Sequence, residues 1–366
     1  MSSVAIIGTR GYPSYYGGFE TLIRHLAPYL VDDGWDVTVY SRPSSVKTDD
    51  PNLDHRIKTI TTWGMDSRSL STLSYGLSSS LHACFRKKPD VALIMNVANG
   101  YFLPLFMASH IPTIVNVDGI EWEREKWGSF AKSVFRVGAR LTARNATHLV
   151  FDAKAIADKW KKDFGKYGTF IPYGADVPKN LPVEPGLTHR GYILYVARFV
   201  PENTFSVFLE AAKVLSKQWP VVIVGSSGYG GPLDAEVAQL STTNPNIHWL
   251  GQVSDDQRLY SLWQHAGAYF HGHSVGGTNP ALVQALGCGA PIVARDTVYN
   301  REVIADAGMF VSPDASQIIT TLADLMNVTN DNLSRAAVSR AENQYSWSKV
   351  QLAYCQLLRE ACRESS

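Results

Sequence analysis

The run His271-Gly-His-Ser-Val-Gly-Gly-Thr-Asn-Pro280 gathers residues suited to holding an anion. It follows a strand-like Ala268-Tyr-Phe270 and precedes a helix-like run from Ala281 to Leu286. A second strand pattern, Pro291-Ile-Val-Ala294, comes next. A glycine-rich turn between strand and helix lets bare backbone N–H groups approach a ligand, and the helix N-terminus adds partial positive charge. Thr278 and Asn279 place polar side chains there, and Pro280 suits the first helical position. The pattern points to a diphosphate or sugar site built on Gly276, Gly277, Thr278 and Asn279. The plain alternative is a tight turn capped by Asn279.

Three further places carry chemistry. Arg198 follows the strand Tyr192-Ile-Leu-Tyr-Val196, at the end where ligands of parallel sheets gather. A guanidinium there can grip a diphosphate and offset charge developing on a leaving group, or it is an ordinary exposed arginine. Asp118-Gly119 ends the strand Thr113–Val117. Its carboxylate can stabilise an oxocarbenium-like transition state, bind a sugar hydroxyl or act as a weak base; capping the next segment is the alternative. Gly17-Gly18 lie between the strand Val4–Ile7 and a helix starting at Phe19, where the backbone can close over a ligand or simply turn. Arg10 and Glu20 flank that loop, to orient sugar hydroxyls or to cap. Trp122 lines a ligand cleft or packs.

Strand and helix patterns alternate around these residues, as an open α/β sheet with helical crossovers requires. Strands are expected at Val4–Ile7, Asp36–Tyr40, Val91–Met95, Thr113–Val117, His148–Phe151 and Thr169–Ile171. Phe19 to Val31 reads as a helix with Leu22, Leu26 and Leu30 on one face, kinked at Pro28. A polar, proline-containing segment from Pro172 to His189 reads as a linker. A second series then runs through Tyr192–Val196, Val221–Val224, Ile247–Leu250, Ala268–Phe270, Pro291–Ala294 and Gly308–Val311. The last helix pattern, Ser348 to Arg363, has Val350, Leu352, Ala353, Leu357 and Leu358 as its packed face. Two comparable halves place a ligand cleft between them.

With 366 residues and 45% hydrophobic content, the chain suits two folded domains. Net charge is +1, which excludes a global polyanion-binding field. Residues 1–180 hold 22 Lys+Arg against 17 Asp+Glu, however, so the first half is basic. Arg86-Lys-Lys88, Lys159, Lys161 and Lys162 are the candidates for contact with anionic lipid. Cys84, Cys288, Cys355 and Cys362 show neither CxxC pairing nor zinc spacing and fit reduced thiols in a cytoplasmic protein. The apolar region Val91–Val117 is interrupted by Asn96, Asn99, Gly100, Pro104, His110 and Pro112, so it cannot span a bilayer as one helix. Peripheral contact with the inner face of a membrane remains.

At this point three passages make a resemblance specific: Ile7-Gly-Thr-Arg-Gly-Tyr-Pro-Ser-Tyr-Tyr-Gly-Gly-Phe-Glu20, Asn116-Val-Asp-Gly-Ile-Glu-Trp122 and His273-Ser-Val-Gly-Gly-Thr-Asn-Pro280. The whole chain resembles retaining glycosyltransferases of the family-4 type with the two-domain GT-B architecture. Within them it is most similar to a bacterial rhamnosyltransferase-like subgroup. The resemblance implies two Rossmann-like α/β domains facing across a cleft. Residues 1–175 would bind the acceptor and residues 190–345 a nucleotide sugar, and a helix at 346–366 would cross back to the first domain. It implies sugar transfer with retention and without a metal or other cofactor, and the sequence holds no Asp-x-Asp pair to place a cation against phosphates. Arg198 and Gly17-Gly18 would lie at the donor phosphates, and backbone groups around Val253 would meet the base.

Departures from the family pattern sharpen the expectation. Gly276 and Gln284 stand where glutamates are common, and Asn203 where a lysine is common. Gln284 would accept a ribose hydroxyl without charge, which favours a deoxyribose and hence a dTDP-sugar, with dTDP-rhamnose first. The acceptor would be a saccharide or lipid-linked saccharide, and no nucleic acid is implied. The rivals are a non-catalytic sugar-nucleotide-binding relative and a sugar-nucleotide epimerase on the same fold. A nicotinamide-dependent oxidoreductase is opposed by Gly8-Thr-Arg-Gly11, which lacks G-x-G-x-x-G, and by Tyr40-Ser-Arg42, which lacks the ribose-binding acid.

Overall fold

The computed structural model describes residues 1–15, 17–45, 49–65, 71–124 and 127–364. The chain forms two compact units: Met1–Tyr173 together with Trp347–Ser366, and Gly174–Ser346.

The first unit holds strands β1 (Ser3–Ile7), β2 (Asp36–Ser41), β3 (Lys58–Thr61), β4 (Val91–Met95), β5 (Thr113–Asn116), β6 (His148–Phe151) and β7 (Thr169–Phe170). They form a parallel sheet in the order β3-β2-β1-β4-β5-β6-β7. The central strands are apolar on both faces, as β4 shows with Val-Ala-Leu-Ile-Met fully buried. At the edge, β3 is Lys-Thr-Ile-Thr with exposed ends, so its sequence gives little sign of a strand. The helix Gly18–Asp32 runs through Pro28 and buries Leu22, Ile23, Leu26 and Leu30. The helix Trp347–Glu364 belongs to the same core through Val350, Tyr354, Leu357, Leu358 and Ala361. Leu352, expected on that packed face, is exposed. Two residues beyond Val350 a helix has turned about 200°, so position 352 points away from the core.

The second unit holds β8 (Ile193–Val196), β9 (Val221–Val224), β10 (Ile247–Gly251), β11 (Ala268–His271), β12 (Ile292–Arg295) and β13 (Gly308–Val311), again parallel, in the order β10-β9-β8-β11-β12-β13. Alternate residues supply two cores. Leu194, Val222, Tyr269 and Ile292 fill one, and Tyr195, Ile223, Phe270 and Val293 the other.

The segment expected as a linker is instead strapped onto the second unit. Asp176 N–H donates to Gln284 Oε1 at 3.0 Å, and Gln284 Nε2 donates to Asp176 O at 2.9 Å. Gln264 bonds Leu181 N–H and Pro178 O, and Glu184 pairs with Arg258 at 2.6 Å. Its polar composition reflects these bonds to the unit, not freedom from it.

Candidate functional site

In each sheet the strand order reverses once, between β1 and β4 and between β8 and β11. Chains leaving such neighbours diverge to opposite faces and open a crevice at the carboxyl ends. Arg198 and the Gly276–Asn279 turn fall at the second of these places, and Arg10, Gly17 and Gly18 follow β1 at the first, whereas Asp118 follows β5, beside β4, and Val253 follows β10 at the sheet edge.

In the second unit, register sets Tyr195 opposite Phe270. Arg198 and His273 therefore emerge side by side, three residues further on. Two close approaches are built with glycine. A Cβ at Gly272 would lie 2.2 Å from Asn203 O, and one at Gly225 2.0 Å from Ala197 O. After β11 the loop turns through Gly276 (φ +96°). Thr278 is buried, and Asn279 Oδ1 accepts Ala281 N–H at 3.0 Å to cap the helix Pro280–Gly287. Asn279 thus caps the helix, within a glycine turn at the carboxyl edge of the sheet. Arg198 is exposed. Val253 packs against the core beside Gly251, whose carbonyl accepts Gly225 N–H at 2.7 Å.

Asn203 acts as a bracket. Its Nδ2 donates to Arg198 O at 2.8 Å, and its Oδ1 meets His273 Nδ1 at 2.6 Å, tying the Arg198 turn to the glycine loop. Gln284 departs from its expected role. It is buried, and its carbonyl already accepts Asp176 N–H, so ribose recognition through that oxygen, and the deoxyribose argument built on it, lose their footing.

Three residues received no role of their own in the sequence reading. Glu202 is buried, and its Oε1 has no partner among the described residues. His271 is fully enclosed, with Nδ1 at 2.9 Å from Tyr269 Oη. Burial pushes its imidazole pKa down to about 3, so it is neutral. Arg295 ends β12, and its Nη1 donates to Thr204 Oγ1 at 3.0 Å. Their setting comes from neighbours 70 or more positions away, except for the Tyr269–His271 pair at i, i+2.

In the first unit, Gly8 (φ +96°) brings the loop after β1 against β4, where a Cβ would lie 2.4 Å from Met95 O. Glu20 is buried, and its Oε1 accepts Arg10 N–H at 3.0 Å. It therefore holds the loop in shape through the Arg10 backbone, while Arg10 O accepts Arg42 N–H. Gly17 is exposed with extended dihedrals, and Gly18 opens the helix. Asp118 has φ +63°, unusual for a residue with a Cβ. Its N–H donates to Asn116 Oδ1 at 3.0 Å, and its Oδ2 accepts Asn96 Nδ2 at 3.3 Å. Burial, then the charges of Asp118 and Asp152, push the enclosed Tyr173 phenol well above its usual range.

Trp122 takes the packing alternative. It is buried edge-on against Trp160 and Phe164, at 6.3 and 5.9 Å between ring centres. Two of the proposed lipid-facing cations are already engaged, Lys87 with Asp36 at 3.3 Å and Lys159 with Glu123 at 2.7 Å. Among the described residues no helix is long and apolar enough to cross a membrane.

Known proteins resemble the chain in the same two parts. Residues 16–178 match the family described as Glycosyltransferase Family 4, and residues 180–344 match Glycosyl transferases group 1. An O-antigen chain mannosyltransferase B of Escherichia coli is 24% identical over 168 residues, 44% of each chain. A phosphatidyl-myo-inositol mannosyltransferase of Mycolicibacterium smegmatis is 30% identical over 211 residues, 53% of each. The matches thus span about half the length of these relatives. The structure of Anabaena HepE in complex with UDP superimposes with a TM-score of 0.73 at 16% identity, covering 98% of this chain and 100% of that one. That likeness shows the GT-B fold.

Proposed function

We propose that this chain, a GT-B glycosyltransferase by its two family domains and its fold, moves a hexosyl residue from a nucleoside-diphosphate sugar to a saccharide or lipid-linked saccharide acceptor. The observation that carries the donor assignment is the edge between β8 and β11. There a glycine turn, a helix N-terminus and the exposed Arg198 share the crevice of a parallel sheet. Arg198 offsets charge on the departing diphosphate, and backbone N–H groups of residues 276–279 hold the phosphates or sugar. In the first unit Asp118 presents its carboxylate to the sugar or acceptor. We further propose retention of configuration and no metal requirement, in keeping with the absence of an Asp-x-Asp pair.

Two relatives are named as mannosyltransferases, and HepE binds UDP. The dTDP-rhamnose reading rests on the three sequence passages alone, since Gln284 no longer argues for deoxyribose. Transfer assays with GDP-mannose, UDP-glucose and dTDP-rhamnose, with and without EDTA, test the reading. Anomeric analysis of the product tests retention. Transfer that disappears with EDTA and returns with magnesium would remove the metal-independent mechanism. Donor binding without turnover on any acceptor supported by a lipid or saccharide would favour a non-catalytic relative, which the missing carboxylates at Gly276 and Gln284 also suit.

A further inference from the structure

We propose that Arg295 is a second cation of the diphosphate subsite, acting beside Arg198; the assignment rests on the donor reading above. Arg295 is the last residue of β12, and Ala294 pairs with His271. Arg295 therefore stands level with Gly272, as does Ala197 on the other side of β11, because Tyr195 pairs with Phe270. Neighbouring strands lie about 4.8 Å apart, so β8 and β12 are separated by roughly 10 Å here. The Arg295 side chain closes that gap. Its Nη1 donates to Thr204 Oγ1 at 3.0 Å, in the loop after β8, and Thr204 Oγ1 donates to Gly272 O at 2.6 Å. Its backbone is held as well. Asn300 Nδ2 donates to Arg295 O at 2.8 Å and to His273 O at 2.9 Å, linking the end of β12 to the start of the glycine loop. The guanidinium thus sits at the carboxyl edge of β11, where the strand order reverses.

Charge gives the reason for it. The two loops flanking the reversal, 197–204 and 272–279, contain one cation, Arg198, and one acid, Glu202, and no lysine. Counting histidines as neutral, they sum to zero, which is poor preparation for a ligand carrying more than one negative charge. Arg295 supplies the missing positive charge from the neighbouring strand. It has no carboxylate partner among the described residues. The adjacent Asp296 is taken by Arg301 at 2.6 Å. A half-buried guanidinium fixed by one neutral hydroxyl keeps its remaining N–H groups for an anion.

The test is calorimetric titration of the full-length protein with whichever of UDP, GDP, ADP or dTDP binds most tightly, with its monophosphate and with the bare nucleoside. Arg295→Ala and Arg295→Gln should weaken the diphosphate about tenfold or more, as loss of a charged hydrogen bond does. The nucleoside should bind as before. Arg295→Lys should recover part of the loss, and Arg198→Ala should show the same diphosphate-selective pattern. Unchanged diphosphate affinity in both Arg295→Ala and Arg295→Gln overturns the proposal. So does an equal loss for nucleoside and diphosphate, which would mark Arg295 as a support for the Thr204 loop. Wild-type protein that binds no diphosphate removes the donor reading itself; wild-type binding with indifferent variants removes only Arg295.

Discussion

Asp118 combines a carboxylate at a strand end with a backbone conformation that a Cβ disfavours, and the two can be separated by mutation. Left-handed φ costs a residue with a side chain roughly 1–2 kcal/mol. Asp118→Gly removes the carboxylate and relieves that cost, whereas Asp118→Ala removes the carboxylate and keeps it. The glycine variant should melt close to wild type yet transfer sugar at least about tenfold more slowly, and the alanine variant should be less stable. Wild-type turnover in Asp118→Gly would clear Asp118 of any part in the chemistry. His271 makes a separate prediction about pH. Its folded pKa, near 3, lies below the unfolded value of 6.5, so the unfolded chain binds the extra proton. The stability this group secures is whole above about pH 6.5 and drains away as pH falls towards 3, by up to about 1.4 kcal/mol per unit. Urea midpoints of His271→Phe, compared with wild type from pH 7 to 4.5, should show a shallower fall; identical slopes would mean that the imidazole does not titrate this way. The positions of Arg198 and Asp118 after strand ends, and of the Gly276–Asn279 run in a turn, were legible because a strand end and a glycine turn are local signals. Arg295 and Glu202 were not, since only the register of β8, β11 and β12 brings their loops together.

At the scale of elements, the strands of both sheets could be read from short apolar runs, and β3 could not because its side chains are polar and lie at a sheet edge. The same limit explains the misreading of residues 174–189. A segment rich in polar groups looks like a linker until its partners are known, and its main partner, Gln284, lies 108 positions from Asp176. Gly287 shows how tightly the strap lies, since a Cβ there would come within 2.2 Å of Asp176 O. Gln284→Leu keeps the volume but leaves the Asp176 N–H and C=O without their partner. Each unpaired buried group costs about 1–3 kcal/mol. The variant should therefore lose several degrees in melting temperature. Its folded form should bind donor nucleotide normally. The reverse result, intact stability with weakened nucleotide binding, would return Gln284 to ligand recognition.

For the whole molecule, the decisive feature is that the chain completes its first unit last. The pattern restart near Tyr192 announces a second sheet, but the return of residues 347–364 to the first came only from the family resemblance. An amphipathic helix does not say which core it will cover. The structure supplies the physical reasons. Trp347 stacks on His25 with ring centres 3.9 Å apart, Tyr354 Oη accepts Asn116 Nδ2 at 2.8 Å, and Arg359 pairs with Asp33 at 2.7 Å. Val350, Leu357, Leu358 and Ala361 are buried beside them. Burying a large apolar side chain is worth about 1.5–3 kcal/mol, so losing this helix removes on the order of 10 kcal/mol, comparable to the whole stability of a domain. A chain ending at Ser346 should therefore fail to fold its first unit while keeping the second. Limited proteolysis of that variant should leave a resistant fragment close to Gly174–Ser346, and calorimetry should show that the transition belonging to the first unit is gone. Adding residues 347–366 back as a peptide should restore resistance of the first unit to some degree. A truncated protein that resists protease along its whole length, or melts as wild type does, would mean that the core of residues 1–173 stands without the helix that closes it.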